Sequence, residues 1–336
     1  MPGRRGPLHQ GLPSQKHLQL PFEVLGRTAV PLPTFTLGIT HARHNSVHLT
    51  VIINDLHTLV FLNIQHACSR TATIMSLKPF ALVTPSTRGL SAALTKRLLA
   101  KSELPVYATY RQGNPERVKD ELLRPLNGID PSRLNMIHLD LEDETSIRSA
   151  AEKLDEMLPP DSYLHTGFFT GGILLNPEKQ PGDVNLATVQ KTFSVNVFSH
   201  LLLMKHFARF LPSASMASSL SDKPPAKWIH ITARVGSIAD NRKGGWYSYR
   251  ASKAALNQTM HTFDLHLKQK NLPAMAVGIH PGTMKTELSK DFWKSTPKDR
   301  LREPDEAAER VLGVVERLGE DQRGRVWDWA GEEVVW

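Results

Sequence analysis

From residue 75 onward the chain alternates short apolar runs with amphipathic stretches, and this alternation limits the folds open to it more than any other feature. Runs of apolar, β-branched or aromatic residues over 80–84, 105–109, 136–139, 163–169, 228–232, 275–279 and 326–329 predict strands. Helical spacing of apolar residues predicts helices over 90–100, 118–126, 189–210, 249–267 and 304–318. A further stripe, Ile147, Ala151, Leu154 and Leu158, predicts an amphipathic helix between the third and fourth strands. Pro304 stands in the first turn of its helix, where a missing N–H costs nothing. Strands joined by helices require crossover connections, so the expected fold class is α/β: a single doubly wound parallel sheet with helices on both faces. Ligands of such sheets bind at the carboxyl ends of the strands. Thr84, Arg111, Asp140, Gly171, Thr232 and Pro281 all fall there.

Residues 1–74 read differently, being rich in His, Pro, Thr and Leu and poor in acids, with no sustained helical or strand period. Two readings stay open for them: a disordered extension, or sequence ahead of a natural start at Met75, on one side, and a mitochondrial transit peptide on the other. The expected domain therefore spans residues 75–336. Six Arg and Lys against Glu23 and Asp55 put +4 of the formal +8 charge into the first 74 residues. The remainder is nearly balanced and holds no basic cluster of the kind a nucleic-acid surface needs.

No apolar run approaches the roughly 20 residues of a membrane span. The nearest, 50–64, is interrupted by Asp55 and His57. The lone Cys68 excludes an intramolecular disulfide and suits a reducing compartment, so a cytoplasmic protein is expected unless residues 1–74 target it to mitochondria. Fifteen histidines, seven of them before residue 75, show no paired ligand spacing. No metal site is expected, and His138, His165, His230 and His280 read as packed strand residues.

The sharpest local signal is Gly244-Gly245-Trp246-Tyr247-Ser248-Tyr249-Arg250-Ala251-Ser252-Lys253. Tyr249 and Lys253 are four apart on a predicted helix and share one face. A nearby ammonium favours phenolate over phenol, which suits a tyrosine to exchange a proton with a carbonyl or alcohol oxygen. Tyr-x-Ala-Ser-Lys after a strand resembles the active site of the short-chain dehydrogenase/reductase family. The string from Arg234 to Tyr247 and the ending Trp327-Asp328-Trp329-Ala330-Gly331 resemble its C-factor-like and sniffer-like carbonyl reductase branch.

That resemblance implies an NADP(H)-dependent oxidoreductase acting on a small carbonyl or alcohol substrate, with NAD(H) as the lesser cofactor. It implies Tyr249 as acid/base, Lys253 as its tuner and ribose anchor, and Asn196 as holder of a relay water. The family's substrate-orienting serine is replaced by Thr232-Ala233, so Ser237, twelve residues before Tyr249, is the expected substitute, with Thr232 second. The phosphate loop keeps one glycine of three, reading Thr84-Pro85-Ser86-Thr87-Arg88-Gly89-Leu90-Ser91. Phe169-Thr170-Gly171-Gly172 stands where the family has Asn-x-Ala-Gly. Asp140 and Leu141 match the adenine contact, and Pro281, Gly282 and Thr286 the nicotinamide loop. Arg88 and Arg111, with no acid ending strand two, suit a 2′-phosphate and so NADP(H) over NAD(H).

The same resemblance implies a homodimer or homotetramer through the two long helices, and specificity from residues 286–303, where Phe292 and Trp293 are candidates. The eroded glycine loop and Ala233 motivate a second reading, a catalytically weak cofactor-sensing or signalling protein on the same fold.

Overall fold

The computed structural model describes the backbone of residues 35–39 and 49–53 and all of residues 77–336. Residues 1–73 and 74–336 form separate units. In the first, Phe35–Ile39 pairs antiparallel with Leu49–Ile53, in a stretch whose sequence predicts no regular element. Cys68 and the rest of that stretch lie outside the described residues. Among the described residues no helix is long and apolar enough to cross a membrane.

The second unit is the expected doubly wound sheet. Its strands are β1 (Lys78–Thr84), β2 (Val106–Tyr110), β3 (Leu134–His138), β4 (Ser162–Phe169), β5 (Ala226–Ile231), β6 (Ala274–His280), β7 (Val326–Asp328) and β8 (Glu333–Val334). The spatial order is β8-β7-β6-β5-β4-β1-β2-β3. Every pairing is parallel except the terminal β7–β8 hairpin, which the sequence did not announce. The strand order reverses between β1 and β4, which places a crevice at their carboxyl ends.

The helices are α1 (Gly89–Lys101), α2 (Pro115–Leu123), α3 (Glu144–Met157), α4 (Leu186–Phe193), α5 (Ser199–Phe207), α6 (Tyr247–Gln269) and α7 (Pro304–Arg317). One face of the sheet packs on α1 and α7 through Leu94, Leu98, Val311 and Val315. The other packs on α3 and α5 through Ile147, Leu154, Leu203 and Phe207. Helix α2 starts earlier than its apolar spacing suggests, because Asn114 accepts the N–H groups of Glu116 and Arg117 and Pro115 occupies the first turn.

The helix expected over 189–210 is present as one unbroken helical run from Leu186 to Phe210, but it is not regular α-helix throughout. Between α4 and α5 the backbone opens into a π-turn, Ser194–Phe198, and Ala208–Phe210 closes as a 3₁₀ turn. Asn196 sits inside the π-turn and exchanges hydrogen bonds with both backbone groups of Ile173, accepting its N–H at 2.8 Å and donating to its carbonyl at 3.0 Å. A wide turn of this kind aims a side chain that regular α-helix would turn away, and such turns gather at functional sites.

Candidate active site

Helix α6 carries the two residues singled out by the sequence. Its entry is Gly244-Gly245-Trp246, all with positive φ; at Trp246 (φ 54°) this conformation is uncommon for a residue with a side chain. The Trp246 N–H is fixed by the carbonyl of Glu178, and the Ser248 N–H by the Glu178 carboxylate at 3.3 Å. Glu178 is buried and places a negative charge at the positive end of a 23-residue helix. Nothing in the sequence marks Glu178, since it lies 70 residues from the Ser248 N–H it accepts.

One turn in, Tyr249 and Lys253 are both buried, with the Lys253 Nζ 5.9 Å from the centre of the Tyr249 ring. Lys253 donates to the Ile231 carbonyl at 3.1 Å, which ties it to the end of β5. The expectation that Lys253 lowers the tyrosine is reversed in the free site: burial pushes Tyr249 up to about 12 and Lys253 down to about 8. Desolvation of the phenolate sets this direction, and burial likewise disfavours the charged form of the lysine. Tyr249 is therefore a neutral phenol at neutral pH. Its ring meets Trp246 edge-on at 6.1 Å, and Trp246 meets Phe292 at 4.8 Å. Phe292 thus joins the aromatic wall beside Tyr249, whereas the Trp293 indole N–H is spent on Ser289.

The two hydroxyl candidates in and after β5 have different hydrogen-bond partners. Thr232 donates its proton to Asn257 at 2.6 Å. Ser237 accepts the Asp240 N–H at 3.0 Å, which leaves its own O–H free to donate. Gly236 seats this loop on α6: a Cβ there would come within 2.8 Å of the Lys253 carbonyl carbon, so any larger residue would push Ser237 off the helix. Asn196 also donates to Ser252 at 3.0 Å, linking the π-turn to α6. Gly172 lies between these groups, its Cβ position 3.3 Å from the Lys253 Nζ and 3.7 Å from the Asn196 Oδ1.

The candidate cofactor residues follow the carboxyl ends of the strands. Helix α1 begins at Arg88-Gly89-Leu90 with no side chain capping its first N–H groups. Gly89 has φ of 53°, and its Cβ position is 3.1 Å from the Thr286 methyl, so the loop after β1 and the loop after β6 meet there. Ser91, in place of the family's last glycine, donates to the Arg88 carbonyl. Thr84 accepts from Thr109, and its carbonyl accepts the Thr170 N–H. Pro281 and Gly282 follow β6 directly, and a Cβ at Gly282 would meet Trp329 at 3.0 Å. The Asp140 carboxylate accepts the Glu142 N–H, and Leu141 packs against Gly171. Arg88 and Arg111 are exposed at the crevice. No acid ends β2, yet the fold supplies one from the loop after β3: Glu142 stands 4.0 Å from Arg111 and pairs with Lys191.

Among the described residues no three His, Cys, Asp or Glu side chains gather into a metal-binding group. His138 contacts the Arg111 carbonyl and His165 the Thr166 hydroxyl. His230 pairs with His200, a residue the sequence analysis passed over.

The family model described as short chain dehydrogenase matches residues 79–297. C-signal of Myxococcus xanthus is 31% identical over 155 residues, which cover 46% of this chain and 82% of that protein. Benzil reductase ((S)-benzoin forming) of Bacillus subtilis is 24% identical over 261 residues, 74% of this chain and 96% of that protein. Among solved structures, NADPH-bound carbonyl reductase from chicken fatty liver is 26% identical with a TM-score of 0.65, covering 77% of this chain and 100% of that one. Carbonyl reductase Sniffer of D. melanogaster is 24% identical with the same TM-score, covering 77% and 99%, and shares the fold.

Proposed function

The chain belongs to the short-chain dehydrogenase family, in its C-factor-like and sniffer-like branch, and from that premise we propose that it reduces a carbonyl group of a small molecule with NADPH. The observation that carries this reading is the buried Tyr249–Lys253 pair, one turn apart on α6 and tied to the end of β5. A neutral phenol is a proton donor, the form that carbonyl reduction needs at neutral pH.

The residues present fit a dinucleotide. The uncapped N-terminus of α1 offers N–H groups to a phosphate, and Gly89 lets the backbone approach. Gly171 and Gly172 leave a path past Lys253, and Arg88 and Arg111 supply charge for a 2′-phosphate. When bound, the nicotinamide supplies the hydride. Lys253 would anchor the ribose, and Asp140, Leu141, Pro281, Gly282 and Thr286 would frame the two rings. The free Ser237 hydroxyl donates to the substrate oxygen and orients it, and Tyr249 gives that oxygen its proton. Asn196 holds Ile173 and Ser252 in place and would hold the relay water.

The 31% identity to C-signal supports the second reading, a sensing or signalling protein on this fold. The intact Tyr249–Lys253 pair favours the enzyme, because a sensor has no need of a buried phenol beside an amine. Titration of the full chain with NADPH and NADH, following unfolding temperature and nicotinamide fluorescence, separates the two when joined to a panel of carbonyl substrates. Binding with turnover supports the reductase. Binding with no turnover on any carbonyl leaves the sensor, and no binding removes both.

A further inference from the structure

Beneath the crevice, three buried side chains form a line that the proposed chemistry does not use. The Trp228 indole N–H donates to His230 Nε2 at 2.9 Å. His230 Nδ1 faces His200 Nδ1 at 2.8 Å, and His200 Nε2 lies 2.9 Å from the Gly171 carbonyl oxygen. All three side chains are completely shielded from solvent. They come from β5 and α5, and the line ends on the loop after β4.

Only one placement of protons satisfies these contacts. An indole N–H can only donate, so His230 Nε2 is bare and its proton is on Nδ1. A carbonyl can only accept, so His200 carries its proton on Nε2 and accepts at Nδ1. The line therefore runs in one direction, Trp228 to His230 to His200 to Gly171, with both rings neutral. A further proton on His200 would set two N–H groups against each other at the 2.8 Å contact, and one on His230 would oppose the indole N–H at 2.9 Å. Burial, with the Lys253 charge nearby, pushes His200 down to about 4 and His230 well below its ordinary range.

We propose that His200 and His230 are positioning residues for the dinucleotide, holding the Gly171–Gly172 peptide two residues past Phe169, where the family's asparagine is missing. Gly171 cannot shift freely: its Cβ position is 2.7 Å from the Leu141 side chain on one side, while Gly172 abuts Lys253 and Asn196 on the other. Trp228 contributes twice, since Phe169, which stands at the asparagine's position, stacks on its ring at 3.7 Å. The line begins at an indole and has no outlet to solvent, so it is a brace and not a proton conduit. A buried carbonyl deprived of its donor is costly, and the cost falls on the loop that Lys253 and the cofactor share.

The inference rests on the cofactor reading above, and the test separates the two. In the full-length protein at pH 7, ¹⁵N spectra of the imidazoles, assigned by difference with His200→Gln, should show His230 protonated at Nδ1 and His200 at Nε2. His200→Leu should weaken NADPH about tenfold, the equivalent of one orphaned carbonyl, while unfolding remains cooperative. His200→Gln keeps an N–H for Gly171 and an oxygen for His230, and should restore most of the affinity. A charged ring or the opposite tautomers in the wild-type protein would overturn the proposal without any variant. So would His200→Leu binding NADPH as tightly as wild type. Failure of the wild-type protein itself to bind NADPH would overturn the cofactor reading, and the positioning role with it.

Discussion

Lys253 holds the Ile231 carbonyl at 3.1 Å while its Nζ lies 5.9 Å from the centre of the Tyr249 ring. One amine thus joins the end of β5 to the proposed proton donor. Removing the phenol alone should separate chemistry from binding. Tyr249→Phe is expected to lower turnover about 10²- to 10⁴-fold while NADPH still raises the unfolding temperature. A Tyr249→Phe enzyme with wild-type turnover would rule out Tyr249 as the acid.

Acid should destabilise the fold through its shielded histidines. His200 and His280 are each held down to about 4 from an ordinary 6.5 by burial. Above 6.5 both folded and unfolded rings are neutral and the stability is intact. Below it the unfolded chain takes up protons that the folded chain refuses, so stability falls until about pH 4, by about 3 kcal/mol per ring. Urea midpoints across pH 4 to 7 should show this loss, and His200→Gln should show a smaller one. An equal loss in both would remove His200 from the account.

Cofactor choice should follow the guanidinium groups. Arg111→Ala is expected to weaken NADPH about tenfold and leave NADH nearly unchanged, as loss of one charged phosphate contact does. Glu142→Gln relieves the acid 4.0 Å from Arg111 and should strengthen NADPH. Equal losses for both nucleotides in Arg111→Ala would show that this arginine does not read the phosphate.

Glu178 should matter for the entry to α6. Its carboxylate takes the Ser248 N–H, and its second oxygen is buried with no partner. Glu178→Ala removes the cap and is expected to cost about 1 kcal/mol of stability. Because Trp246 leans on Tyr249, the variant should also lower kcat more than it raises the KM for NADPH. Unchanged kcat in a destabilised Glu178→Ala would confine the residue to folding.

Self-association should use the outer faces of the two long helical segments. Phe198, Leu201 and Leu265 are 53%, 46% and 43% exposed, large apolar groups left open on α6 and on the π-turn and α5. Sedimentation of the wild type is expected to give a dimer or tetramer, and Phe198→Glu a smaller species. A wild-type monomer would end that expectation.

Sequence periodicity alone determined the strands, the helices and their alternation, because each element's apolar pattern is a local consequence of which face it buries. It also determined the Tyr249–Lys253 pair, since a spacing of four on a helix fixes a shared face. The different hydrogen-bonding of Ser237 and Thr232 is visible only in three dimensions, where Asn257 takes the Thr232 proton. The ionisation of Tyr249 ran opposite to its sequence expectation because burial is set by everything packed around it, not by the lysine four residues on. The π-turn at Asn196, the Glu178 cap and the His200–His230 line stayed hidden for the same reason. Their partners lie 23, 70 and 30 residues away, and only the packing of helices on the parallel sheet brings them within hydrogen-bonding distance.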